Sequence, residues 1–185
     1  MTKAQLTVLA GPTAVGKGTV VAALTKRYPT LNVSVSATTR DPRPGELNGV
    51  HYYFVSAQEF DAMIERGAML EWALVHGKNK YGTPRGPVDE ALAAGKPVLL
   101  EIDLAGARQV RTNRPDAQFI FLAPPSWEEL ESRLIGRGTE GPEEQARRLA
   151  TARVELEAAS EFDHVVINDD VERAVDELAR LIGQE

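Results

Sequence analysis

Apolar positions fall into four short, dense runs: Leu6 to Ala10, Val98 to Ile102, Phe119 to Leu122 and Val165 to Ile167. Runs of this length, bounded by polar residues, read as strands buried on both faces. Between them the apolar residues recur with helical spacing. Val20, Val21 and Leu24 follow Lys17, a second segment runs from Pro87 to Ala94 and stops at Gly95, and a third from Val171 to Ile182 repeats Val175, Leu178, Leu181 and Ile182. Capping boxes mark two more helix starts, Ser56-Ala57-Gln58-Glu59 and Ser126-Trp127-Glu128-Glu129. In each, the serine hydroxyl accepts from the backbone of the third helical residue and the glutamate returns the bond. Strands alternating with helices predict an α/β fold, a mostly parallel sheet flanked by helices. Polar Ser36 to Asn48 and glycine-rich Gly136 to Gly141 interrupt the pattern and become the candidate functional loops.

With 185 residues the chain fits one domain, and 43% hydrophobic against 26% charged residues allows a real core without the bias of disordered or membrane sequences. No apolar stretch approaches the roughly 20 residues that span a bilayer. Met1-Thr2-Lys3 leads straight into the first strand rather than into a signal peptide, so a cytoplasmic protein is expected. Cysteine is absent and His51, His76 and His164 are far apart, so no metal site built from protein ligands is expected. A formal charge of -6 disfavours nucleic acid and anionic membrane surfaces as partners and favours a small molecule. Arginine is nevertheless bunched at Arg40 and Arg43 and again at Arg133, Arg137, Arg147, Arg148 and Arg153, which puts local positive sites on an acidic molecule.

Directly after the first strand comes Gly11-Pro12-Thr13-Ala14-Val15-Gly16-Lys17-Gly18-Thr19, opening a helix. This is the setting of a phosphate-binding P-loop. Glycine lets the backbone curl, the loop N–H groups converge on phosphate oxygens, the helix dipole adds positive potential, and Lys17 reaches the β- and γ-phosphates. The strict pattern has Ser or Thr immediately after the lysine, whereas here Gly18 intervenes before Thr19. The Gly-Lys-Gly-Thr order resembles nucleoside monophosphate kinases. That likeness implies that Thr19 touches a phosphate while Mg²⁺ is held mainly by nucleotide phosphates and water.

A second set of motifs is more specific. Ser34 to Phe54 reads SVSATTRDPRPGELNGVHYYF, and it is followed in order by Glu71-Trp72-Ala73, Tyr81-Gly82-Thr83, Glu101-Ile102-Asp103, Gly136-Arg137-Gly138-Thr139-Glu140 and Asn168-Asp169-Asp170. Together these closely resemble the guanylate kinase family over nearly the whole chain. The resemblance implies one unit with a core at 1–33, 84–135 and 151–185, a GMP-binding subdomain at 34–83 and a mobile lid at 136–150. It also implies ATP as co-substrate, bound by residues 11–19 with Arg133, Arg137 and Asn168, and GMP as acceptor. Residues on the acceptor side also make physical sense by themselves. Arg40 and Arg43 can fork onto a phosphate, with Tyr52 and Tyr81 as neutral donors. Guanine presents N1–H and a 2-amino group that one carboxylate can accept together, and Glu71 with Ser36 and Thr83 supplies that complement. On local sequence alone, Glu71 could equally cap a helix or sit at the surface, and the arginines could be solvated. By similarity Asp103 faces the nucleotide from the end of the Val98 to Ile102 strand.

Phosphoryl transfer from ATP to GMP needs no general base, because a phosphate monoester is already largely ionised at pH 7. It needs cations that overcome the repulsion between two anions, and Lys17, Arg40, Arg137 and Arg148 are the candidates for catalysis. Arg137→Ala is expected to lower kcat with little change in KM. Arg147 and Arg153, on the Arg- and Glu-rich segment Glu143 to Glu157, read instead as parts of a solvated face with i, i+4 pairs. Two other readings stand beside this one, a kinase for another nucleoside monophosphate and a non-catalytic guanylate-kinase-like binding module. The sequence departs from the family pattern at Ala14, usually glycine, at Gly18, and at Ala105, commonly glutamine. Ala14 would be strained by about 1 kcal/mol if its backbone needs positive φ.

Overall fold

A computed structural model describes residues 4–184 apart from 137 and 139. The first strand, β1 (Leu6–Ala10), is buried along its whole length and feeds the loop before α1 (Lys17–Arg27), after which β2 (Asn32–Val33) rejoins the sheet. The chain then builds a second sheet from β3 (Ala37–Thr38), β4 (Tyr53–Phe54), β5 (Met69–Val75) and β6 (Asn79–Pro84), with α2 (Ala57–Glu65) inserted before β5. It returns through α3 (Arg85–Ala93) to β7 (Val98–Glu101), α4 (Leu104–Asn113) and β8 (Gln118–Ala123). The remainder is α5 (Trp127–Ile135), α6 (Pro142–Glu157), a 3-10 turn at Ala158–Glu161, β9 (His164–Ile167) and α7 (Val171–Ile182).

The main sheet has five strands in the order β2-β7-β1-β8-β9, all parallel. Alternation along β1 divides its side chains between two cores. Leu9 meets α1, α5 and α7 through Val20, Leu24, Leu130, Val175 and Leu178, whereas Leu6, Val8 and Ala10 meet α3 and α4 through Val88, Ala107 and Val110. The apolar stripe of α7, from Ala174 to Ile182, is buried as its helical period requires, and left-handed Gly183 ends the helix. Because β1 lies between β7 and β8, the strand order switches there, and the loops at its carboxyl end open a crevice.

The second sheet has the order β4-β3-β6-β5, mixed in direction, and lies wholly within residues 37–84. Its strands, and α4, go beyond what the apolar pattern foretold. Helix α3 starts at Arg85, two residues ahead of the expected Pro87. Both capping serines accept from the third residue as expected, Ser56 from Glu59 N–H at 3.0 Å and Ser126 from Glu129 N–H at 3.1 Å. The glutamates, however, hold arginines: Glu59 pairs with Arg66 at 3.1 Å and Glu129 with Arg133 at 2.6 Å. An arginine in reach gives a carboxylate a charge-assisted partner stronger than one neutral N–H. Arg147 does pair along the helix, with Glu144 at 2.8 Å, but Arg153 stacks over the Trp127 ring at 3.9 Å and so joins α6 to α5 rather than only facing water. Helix α6 runs unbroken through residue 150 to Glu157. Among the described residues no helix is long and apolar enough to cross a membrane.

Candidate active site

The loop from Gly11 to Gly16 is shaped by two close approaches. A Cβ on Gly11 would lie 2.5 Å from the Leu122 carbonyl oxygen, so only glycine lets the chain leave β1 against β8. Gly16, at φ 95°, precedes α1, and a Cβ there would lie 2.8 Å from Asn168 Nδ2. Ala14 does take positive φ, 68°, the left-handed region where an L residue is strained by roughly 1–2 kcal/mol. Across the sheet, Asn168 is 5% exposed and donates through Nδ2 to the Val15 carbonyl at 2.8 Å, and Arg133 Nη1 reaches the same oxygen at 3.3 Å. Both residues thus brace the loop from β9 and α5.

Lys17 is folded back into the crevice, its Nζ donating to the carbonyls of Ile102 at 3.1 Å and, at a longer 3.5 Å, Gly11. Burial lowers its pKa, and the carboxylates of Glu101, Asp103 and Glu155 oppose that shift. The loop, Glu101, Asp103, Arg133, Gly136 and Glu155 together line a cavity of about 740 Å³. Sequence reasoning missed Glu155, whose carboxylate accepts from the Thr13 N–H at 3.3 Å. Its pKa is raised, chiefly by burial. No local signal distinguishes it within a helix rich in Arg and Glu. Arg148 lies beside Thr13 and is paired with Glu140 at 2.5 Å and with Glu144 at 3.6 Å. Arg137 and Thr139 fall outside the described residues.

On the second sheet, Glu71 is 9% exposed and its Oε1 accepts from the Thr83 hydroxyl at 2.7 Å. Burial raises its carboxyl pKa, the Thr83 bond opposes this, and nearby Asp103 adds to the rise. Asp103 caps α4, its Oδ1 accepting from Gly106 N–H at 2.8 Å, so it faces both the P-loop cavity and Glu71. Ser36 lies on the stretch entering β3, and its carbonyl pairs with the Tyr53 N–H at 2.8 Å. The structure also brings Arg40, Tyr52 and Tyr81 together: the guanidinium sits 5.4 Å from the Tyr52 ring centre, and the two rings are 5.9 Å apart.

A residue passed over in the same motif organises this cluster. Glu46 accepts from both Arg40 terminal nitrogens at 3.0 Å and from Arg43 N–H at 2.7 Å, and these bonds, Arg40 first, hold its carboxyl at about 2. The same pairing raises the pKa of Arg40. Arg43 itself is exposed on the turn. The signal for Glu46 was present, a carboxylate three residues after Arg43 and six after Arg40 in a proline-rich turn. His51 plays a local part, with Nδ1 accepting from Leu47 N–H at 2.9 Å.

Among the described residues no cluster of three or more His, Asp or Glu is placed to hold a metal. Glu101 and Asp103 beside the phosphate loop suit instead a cation brought in by nucleotide phosphates, since Mg²⁺ keeps most of its waters and takes few protein ligands.

A phosphate loop at the end of the central strand of a parallel sheet, with a buried carboxylate, Glu71, on a second sheet near Asp103 of the loop's cavity, is the arrangement of a P-loop kinase of the nucleoside monophosphate class. The sequence model of the guanylate kinase family matches residues 3–185. A guanylate kinase of Nocardia farcinica is 60% identical over 97% of this chain and 93% of its own, and one of Thermobifida fusca is 61% identical over 97% and 91%. The crystal structure of guanylate kinase from Anaplasma phagocytophilum superposes with a TM-score of 0.73 at 30% identity, covering 100% of this chain and 87% of that one. A shikimate kinase of Bacteroides thetaiotaomicron, at 12% identity and TM-score 0.50 over 97% and 98%, shares the fold alone. The chain belongs to the guanylate kinase family.

Proposed function

We propose that this protein transfers the γ-phosphoryl group of ATP to GMP, giving ADP and GDP, with base choice made at Glu71 and phosphate chemistry at the loop around Lys17. The observation that carries the reading is the buried Glu71–Thr83 pair at 2.7 Å. A buried carboxylate is costly to keep unless something is recognised there, and guanine offers it two adjacent N–H donors. Ser36 and Thr83 complete the base site, and Asp103 adjoins it. Arg40, Arg43, Tyr52 and Tyr81 hold the acceptor phosphate. Residues 11–19, Arg133 and Asn168 form the ATP side.

Residues 34–83 serve as the GMP-binding subdomain, 136–150 as the lid, and 1–33, 84–135 and 151–185 as the core. Lys17, Arg40 and Arg148 oppose the repulsion between the two anionic substrates and steady the charge that spreads over the transferring group. The part given to Arg137 rests on its sequence motif. Thr19, Glu101 and Asp103 would lie beside a Mg²⁺ ion held mainly by the nucleotide phosphates and water, which would supply neutralising charge there. An ionised phosphate oxygen of GMP attacks in line, so no side chain has to remove a proton. Substrates that occur in the cytoplasm fit a chain without a membrane-crossing helix among its described residues.

ADP release from ATP and Mg²⁺, followed with GMP, dGMP, AMP and UMP in turn, tests the reading. Turnover with the guanine nucleotides far above that with AMP and UMP is expected. Comparable rates with AMP or UMP, or none with GMP, refute it.

A further inference from the structure

We propose that α4 sets base selectivity, with Gln109 and Asn113 as positioning residues that hold Glu71 through the backbone on either side of it. This rests on Glu71 being the base-selecting group. Strand β5 is the outer strand of its sheet, so one of its edges meets β6 and the other would lie open. An open edge leaves N–H and C=O groups to water or to another chain. Here α4 covers it. Trp72 N–H donates to Gln109 Oε1 at 3.0 Å, and Gln109 Nε2 donates to the Trp72 carbonyl at 2.9 Å. A side-chain amide has the donor and acceptor of a peptide group, so Gln109 adds one rung to the ladder.

The register between β5 and β6 shifts between Met69 and Glu71, which places a bulge at Leu70. Bulges re-aim the side chains beside them and free a backbone group from the ladder. The Leu70 carbonyl is taken by Asn113 Nδ2 at 2.8 Å. Asn113 and Gln109 are four residues apart and lie on one helix face. About one turn before Gln109 and two before Asn113, Gly106 approaches so closely that a Cβ on it would lie 3.1 Å from Glu71 Oε2 and 3.1 Å from Asp103 Oδ1. The residues before and after Glu71 are therefore tied to the helix whose first turn confronts its carboxylate. A carboxylate that must meet two donors at once tolerates little displacement, and this tie to the core helix limits it.

The test compares wild type with Gln109→Met, which keeps length but loses both bonds, and with Asn113→Ala, measuring kcat/KM for GMP and AMP, KM for ATP, and thermal melting. Gln109→Met should lower kcat/KM for GMP about tenfold, through KM, with KM for ATP within about twofold and AMP unchanged. The GMP to AMP ratio then falls about tenfold, and Asn113→Ala moves it the same way by less. An unchanged ratio, or equal losses for both nucleotides or in both KM values, overturns the proposal and leaves only a packing role. If Gln109→Met does not fold, the ratio for Asn113→Ala decides alone. Wild-type protein inactive on GMP refutes the functional reading and this inference with it, whereas active wild type with an unmoved ratio refutes this inference only.

Discussion

Glu71 combines burial with a need for charge, and that combination makes it sensitive to pH. Burial lifts its pKa above the ordinary 4.5. In the proposed role only the ionised carboxylate would accept from both guanine donors, so preference for GMP should be full above the raised pKa and be lost as pH falls through it, at higher pH than for an exposed glutamate. The GMP to AMP ratio of kcat/KM isolates this, because the substrate phosphate titrates near pH 6 in both nucleotides. Glu71→Gln should lower kcat/KM for GMP by roughly 10- to 100-fold, the worth of a charge-assisted hydrogen bond, spare AMP, and flatten the pH profile of the ratio. Equal losses for both nucleotides would make Glu71 structural. Ala14 poses a smaller question at the same scale. Relief of its left-handed strain by Ala14→Gly gains about 1–2 kcal/mol, but the freer unfolded chain takes back about 0.4–1. The net is about 0.8 kcal/mol, seen as a rise in Tm of roughly 2–3 °C. A lower Tm would mean that the Ala14 methyl, packed against the core, contributes more than its backbone strain costs.

At the scale of elements, legibility followed the range of the interactions. Strand β1, the P-loop and α7 were readable because each is specified within its own stretch, by an unbroken apolar run, by glycine spacing, and by a stripe ended at Gly183. Strands β2, β3 and β4 have two residues each, too few to show alternation, and exist because distant partners pair with them. Helix α4 was missed because its start depends on Asp103, which sequence similarity had pointed to as a ligand neighbour rather than a cap. Where a motif was readable, as in the two capping boxes, its serine half followed from spacing and its glutamate half did not. The glutamates are drawn to Arg66 and Arg133, partners that lie two turns and one turn further along the chain, respectively. In the site, motif residues were legible one by one, but the pairing of Arg40 with Glu46 and the approach of Glu155 to the P-loop depend on tertiary packing.

Across the whole molecule, that last contact sets the charge balance of the P-loop cavity. Thr13 N–H and Lys17 are groups that a phosphate would engage, and the Glu155 carboxylate from α6 accepts from the first and lies within electrostatic reach of the second. Three acidic side chains, Glu101, Asp103 and Glu155, therefore lie within electrostatic reach of the one lysine of the cradle. An incoming phosphate must share or replace the Glu155 bond and face its charge. The same helix carries Arg148, held by Glu140 and Glu144, so a shift of α6 would withdraw a carboxylate and bring a guanidinium into the same reorganisation. Glu155→Gln keeps an oxygen that can accept from Thr13 N–H while removing the charge. For a half-exposed group such an interaction is worth about 0.2–1 kcal/mol, so KM for ATP should fall by about 1.4- to fivefold with KM for GMP unchanged. A rise in KM for ATP would instead mean that Glu155 supports the nucleotide-bound arrangement, and the competition between carboxylate and phosphate would have to be abandoned.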